Sequence, residues 1–163
     1  MTITVIIGAP CAGKSTYARE HKRDGDVVVD YDELAKALGS ITPHESSGAI
    51  RLVALAVRRE AIQKILGGID TDAFIIHTNP PQEIAEQYIE AGAKFVLLDP
   101  SRETCLKRAE QRPAHTIEGI EKWYESPPNI ISRLGLAPLK SESAKILAAL
   151  ELRELAQALS NRF

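Results

Sequence analysis

Short apolar runs alternate with amphipathic stretches along this chain. "TITVIIG" (residues 2–8) is apolar and β-branched almost throughout. That is the pattern of a strand buried on both faces. "DVVVD" (26–30), "AFIIHT" (73–78) and "KFVLLD" (94–99) repeat it. Helices are predicted in the intervals, at about 14–21, 32–39, 47–66 and 81–91, and after the last strand at 101–111 and 116–125. Asp32 is the expected N-cap of the second helix and Gly39 its stop, while Gly67-Gly68 and Gly92 close later ones. Arg112-Pro113 separates the last two. "SPPNIISRLGLAP" (126–138) reads as a turn-rich connection, and 141–161 as a strong helix with Ile146, Leu150 and Leu155 on or near one apolar face. Strands alternating with helices predict an α/β fold, a parallel sheet covered on both faces. Four strands are visible and no fifth follows Asp99, so the sheet is expected to be small.

The bulk properties narrow the picture. The 163 residues fit one domain, expected to span 1–163 because no repeat, low-complexity tract or linker divides them. Such a domain buries about two-thirds of its unfolded surface, enough for a proper core. The net charge of −2 excludes a whole-protein field that attracts nucleic acid, so any basic site must be local. Cys11 and Cys105 lack metal-type spacing and read as reduced thiols. No leader pattern or membrane-length apolar run is visible, which predicts a cytoplasmic protein without membrane contact.

The candidate chemistry begins where the first strand ends. Gly8, Ala9, Pro10, Cys11, Ala12, Gly13, Lys14, Ser15 and Thr16 meet the pattern G-x-x-x-x-G-K-[ST], between a strand and a helix. Glycines let the backbone wrap a phosphate closely. Successive N–H groups then form an anion nest, and the helix adds its positive end. Lys14 is expected on the β- and γ-phosphates of ATP, Ser15 on Mg²⁺, and Thr16 near the α-phosphate. Cys11 stands where such loops often carry glycine. It reads as a tolerated small residue or as a thiol whose acidity the loop enhances.

Asp30 and Asp32 follow the second strand, on the edge where ligands of open α/β sheets bind. Asp32 can accept a proton from an attacking hydroxyl, besides capping a helix. Asp30 suits Mg²⁺-bound water or the strand end. Arg108 and Arg112, four apart, are expected on one helix face. They form either a solvated basic face or a lid, at about 101–126, that closes over the triphosphate. Arg51 and Arg58 share a face of the long helix, as a solvated stripe or as a positive wall for an anionic substrate. His44 and His77 read as structural. "FIIHTN" has no Walker B carboxylate, which tilts the reading from a motor ATPase toward a kinase.

Together, GxPxxGKST, the strand followed by D-x-D, "IIHTN" and "CLKRAEQRP…IEGIEKWY" resemble the bacteriophage-type 5′-polynucleotide kinase domain and the small P-loop kinases grouped with it. The resemblance covers most of residues 1–126. It implies a kinase-type α/β/α sandwich with a helical lid. It also implies that Lys14 and Ser15 bind triphosphate and Mg²⁺, that Asp32 activates the acceptor hydroxyl, and that Arg112, with Arg108 beside it, contacts the donor phosphates. Thr78 and Asn79 match a polar pair near the acceptor. One position departs: the family has an arginine three residues after the aspartate, and this chain has Ala35, followed by Lys36.

Three functions remain open on this basis. One is an ATP-dependent kinase acting on the 5′-hydroxyl of a nucleic acid. The second is a kinase of a nucleoside, nucleotide, modified DNA base or other small metabolite. The third is an NTPase switch without an acceptor.

Overall fold

A computed structural model of the chain describes residues 1–41, 44 and 46–138. The expected helix at 141–161 lies outside them. Four strands form one parallel sheet: β1 (Ile3–Gly8), β2 (Val27–Val29), β3 (Ala73–His77) and β4 (Lys94–Leu98), in the order β2-β3-β1-β4. In register, Ile7 lies beside His77, and Gly8 beside Leu98. Every residue of β3 is buried, and all of β1 except Thr4, as their unbroken apolar character requires. Tyr88, Ile6, Ile7, Ile75 and Ile120 are among the largest fully buried side chains and centre the core on β1 and β3.

The helices are α1 (Lys14–His21), α2 (Tyr31–Ala37), α3 (Gly48–Leu66), α4 (Gln82–Glu90), α5 (Arg102–Arg108), α6 (Ala114–Glu125) and α7 (Asn129–Arg133). Ser47 caps α3 and Ser101 caps α5, each hydroxyl accepting an N–H of the first turn.

Several boundaries differ from the sequence expectation. The cap of α2 is Asp30, not Asp32. Asp30 keeps an extended backbone and its Oδ1 accepts the Asp32 N–H at 3.1 Å. The strand ends at Val29, so Asp30 is the residue half inside the helix. Asp32 falls in the first turn, its carboxylate released from capping. The helix expected over 101–111 stops at Arg108. The Ala109 N–H is shared between Cys105 and Leu106 carbonyls, which tightens the last turn. Arg112 therefore sits in the following turn, its N–H on the Ala109 carbonyl at 2.8 Å, and not on a helix face with Arg108. The next helix begins at Ala114, directly after Pro113. Within 126–138, the short α7 follows Pro128 and buries Ile130.

Candidate active site

β1 occupies the point where successive connections diverge across the sheet, the position at which open α/β sheets bind ligands. The loop leaves it at Gly8. A Cβ there would stand 2.5 Å from the Leu98 carbonyl oxygen, so only glycine fits beside β4. Two loop residues take the left-handed conformation, Cys11 (φ 62°) and Gly13 (φ 94°). For Cys11 this backbone is costly. It accounts for the glycine usual at that position.

Lys14 opens α1. Its Nζ donates to the Gly8 carbonyl at 2.8 Å and to the Ala9 carbonyl at 2.6 Å. Burial lowers its pKa to about 8, against the attraction of nearby Asp30 and Asp32 among other groups. Ser15 Oγ donates to Asp30 Oδ2 at 2.6 Å. Asp30 is itself buried at 7% exposure, so one carboxylate joins the phosphate loop to the start of α2. Hydroxyl and carboxylate oxygens suit a hard cation such as Mg²⁺. Among the described residues no cluster of three His, Cys, Asp or Glu side chains could hold a metal. A cation here would draw most of its ligands from phosphate and water.

Asp32 lies on the same sheet edge. Its Oδ2 accepts from His44 Nδ1 at 2.7 Å, and its side chain remains 44% exposed. His44 is 12 residues away, so no local sequence signal announces this pair.

The region after β4 meets the loop at two places. Arg108 Nη1 donates to the Cys11 carbonyl at 3.2 Å. A Cβ on Gly119 of α6 would lie 3.2 Å from Pro10 Cγ, so that helix rests directly on the loop. Arg102 joins α5 to α6 by a two-pronged bond to Glu121, at 2.5 and 2.6 Å. Arg112 is exposed. Cys105 is buried, its Sγ 3.6 Å from the Tyr124 hydroxyl, which donates to the Pro100 carbonyl.

The two arginines of the long helix, expected to share a solvated stripe or a positive wall, differ in their surroundings. Arg51 is exposed, but Arg58 turns inward. Arg58 Nη2 donates to the Ile76 carbonyl at 2.7 Å and stands 3.1–3.2 Å from both His77 ring nitrogens. Its Nε is buried without a partner. His77 Nε2 meets the Tyr88 hydroxyl at 2.8 Å. Burial, then Arg58 and Lys14, push the His77 pKa down to about 3, so the ring is neutral at pH 7. This buried trio has a faint sequence signal, a histidine ending an otherwise apolar strand. Thr78 and Asn79 follow on the exposed side of the same edge.

A parallel strand, a glycine-cornered loop and a helix opened by lysine and serine define a P-loop α/β protein of small-kinase fold. Residues 3–122 match the family model described as "AAA domain", and the chain belongs to that family. No curated protein matches the sequence. A chain in the structure of the Pnkp1/Rnl/Hen1 RNA repair complex superposes with TM-score 0.54 at 22% identity, over 74% of this chain and 42% of that one. A second structure of the Pnkp1/Rnl/Hen1 complex gives 0.51 at 23%, over 69% and 40%. This chain thus spans about two-fifths of those chains' length (42% and 40%). Shikimate kinase from Acinetobacter baumannii, in complex with shikimate, gives 0.56 at 14%, over 100% of this chain and 96% of that one. At these identities the likeness concerns the fold. Among the described residues, no helix is long and apolar enough to cross a membrane.

Proposed function

We propose that this chain is an ATP-dependent kinase that transfers the γ-phosphate to a hydroxyl, with the 5′-hydroxyl of a polynucleotide as its acceptor. One observation carries the reading. Asp32, freed from capping and 44% exposed, lies one residue beyond the neighbour of Asp30, which the Ser15 hydroxyl of the phosphate loop bonds at 2.6 Å. A base so placed beside a phosphate-binding loop serves an attacking hydroxyl. The loop amides and the N-terminus of α1 hold the donor phosphates. The Lys14 ammonium exchanges the Gly8 and Ala9 carbonyls for phosphate oxygens. Asp32 takes the proton of the acceptor hydroxyl as its oxygen bonds the γ-phosphorus and the bond to ADP breaks. Arg108 and Arg112 balance the charge on the transferring group. When bound, Mg²⁺ neutralises charge on the phosphates, and Ser15, backed by Asp30, would hold it.

A second reading, a small hydroxyl-bearing metabolite as acceptor, is favoured by Ala35. The residue is buried at 4% exposure, so the position that carries an acceptor-binding arginine in the resembling family faces the core here. The end-to-end likeness to the shikimate-bound kinase agrees with a compact acceptor.

Incubation with Mg²⁺ and γ-labelled ATP, in parallel with 5′-hydroxyl oligonucleotides and with pooled nucleosides and metabolites, separates the readings. Label on the oligonucleotide end supports the first, and label only on small molecules the second. Phosphate release unaffected by any acceptor would overturn both. Asp32→Asn is expected to abolish transfer while ATP still binds. Full transfer by that variant would remove Asp32 as the base.

A further inference from the structure

We propose that His44 is the positioning residue of the Asp32 carboxylate. The inference rests on the kinase reading above and adds a residue to its site.

Two independent observations point to it. The first is the bond itself. An ionised carboxylate only accepts hydrogen bonds, so at 2.7 Å from Asp32 Oδ2 the His44 Nδ1 must carry the proton. Oδ2 is thereby occupied, and Oδ1 is left as the oxygen that meets an acceptor hydroxyl. A charge-assisted bond of this length restricts the carboxylate rotor. The second is the backbone. His44 adopts φ 62°, a left-handed conformation that a small minority of non-glycine residues take, with histidine, asparagine and aspartate the more frequent among them. Such conformations persist where surrounding contacts over-determine them, and they concentrate at functional sites.

Tyr31, next to Asp32, shares a 2.6 Å hydrogen bond with Ser46 Oγ, and Ser40 N–H returns to the Ala35 carbonyl at 2.9 Å. The Tyr31–Ser46 bond ties the first residue of α2 to the residue just before the cap of α3. A His at this point reaches Asp32 and no local helix cap. Asp30 already satisfies the cap of α2, so the His44–Asp32 bond is not needed to start the helix. The half-exposed Asp32 would otherwise rotate in water. An oxygen displaced by about 1 Å from its line of attack can cost about a hundredfold in rate.

The test combines kinetics with a direct readout of the ring. His44→Ala is expected to lower kcat for phosphorylation of a 5′-hydroxyl oligonucleotide by at least about tenfold, with KM for ATP unchanged. His44→Asn, whose side-chain amide can donate from near the Nδ1 position, is expected to restore most of that loss. Unchanged circular dichroism and ATP binding show that each variant folds. Loss without Asn rescue, or an equal rise in KM for ATP, would assign His44 a general structural role and overturn the proposal. A kcat for His44→Ala within about twofold of wild type would overturn it too, whereas the base reading stands or falls separately with Asp32→Asn. Long-range ¹H–¹⁵N spectra require no acceptor. They should show His44 Nδ1 protonated in the wild type and that signature lost in Asp32→Ala. A ring spectrum indifferent to Asp32→Ala would also overturn it.

Discussion

The Ser15 hydroxyl donates to the buried Asp30 carboxylate at 2.6 Å, which ties the phosphate loop to the strand end two positions away in the sheet. The same carboxylate caps α2 through the Asp32 N–H. One side chain therefore joins the Ser15 hydroxyl to the start of the helix that carries Asp32, the proposed base.

Asp30→Ala removes both bonds. It is expected to cost about 0.5–2 kcal/mol, chiefly from the lost helix cap, in chemical denaturation. It should also weaken Mg²⁺-dependent ATP binding. Asp30→Asn keeps an oxygen for one bond and is expected to fall between wild type and Asp30→Ala on both measurements.

Lys14 yields a pH dependence. Its pKa in the ligand-free fold is about 8, against 10.5 when unfolded. Between those values the unfolded chain binds more protons, so this group makes stability rise with pH across the window. Denaturation of wild type minus Lys14→Met, from pH 7 to 10.5, isolates the slope. Phosphate binding requires the ammonium, so ATP affinity is expected to fall by up to about tenfold per pH unit above 8. Titration calorimetry in two buffers of different ionisation enthalpy should register proton uptake on binding there.

His77 works in the acid range. Its pKa falls from 6.5 to about 3 on folding, so the unfolded chain takes up the proton first. Stability contributed by the neutral ring is complete above pH 6.5 and is lost as pH falls toward 3. His77→Gln retains a partner for the Tyr88 hydroxyl and is expected to flatten the acid limb of stability against pH. An unchanged limb would mean that other groups govern it.

Arg108 and Arg112 should separate in kinetics. Arg108 is bonded to the Cys11 carbonyl, so Arg108→Ala is expected to loosen the loop and raise KM for ATP as well as lower kcat. Arg112 is exposed in the turn, so Arg112→Ala should lower kcat and leave ATP binding and melting temperature nearly unchanged. Steady-state kinetics and thermal melts distinguish the two patterns.

The elements most legible in the sequence were those whose signal is local. α1 runs from Lys14 to His21 as expected, because the loop motif itself dictates where the helix starts. Buried parallel strands are continuous apolar runs, and all four were readable. The N-cap of α2 was misplaced because Asp30 and Asp32 are both good caps. Only the length of β2, set by pairing with β3, selects between them. The end of α5 was overrun because Pro113 marks a break, whereas the tightening at Ala109 comes from backbone geometry.

The sequence by itself determined that a phosphate loop follows a buried strand, since that motif is a run of adjacent residues whose backbone needs are local. It also marked Asp32, Arg108 and Arg112 as candidate site residues. Tertiary structure alone decided the sheet order, the junction of Asp30 with Ser15, the pairing of His44 with Asp32, and the inward turn of Arg58 onto His77. Each of these joins residues 12 or more positions apart. Their partners are chosen by how strands and helices pack, and hydrophobic periodicity specifies which face of an element is buried but not which neighbour it meets.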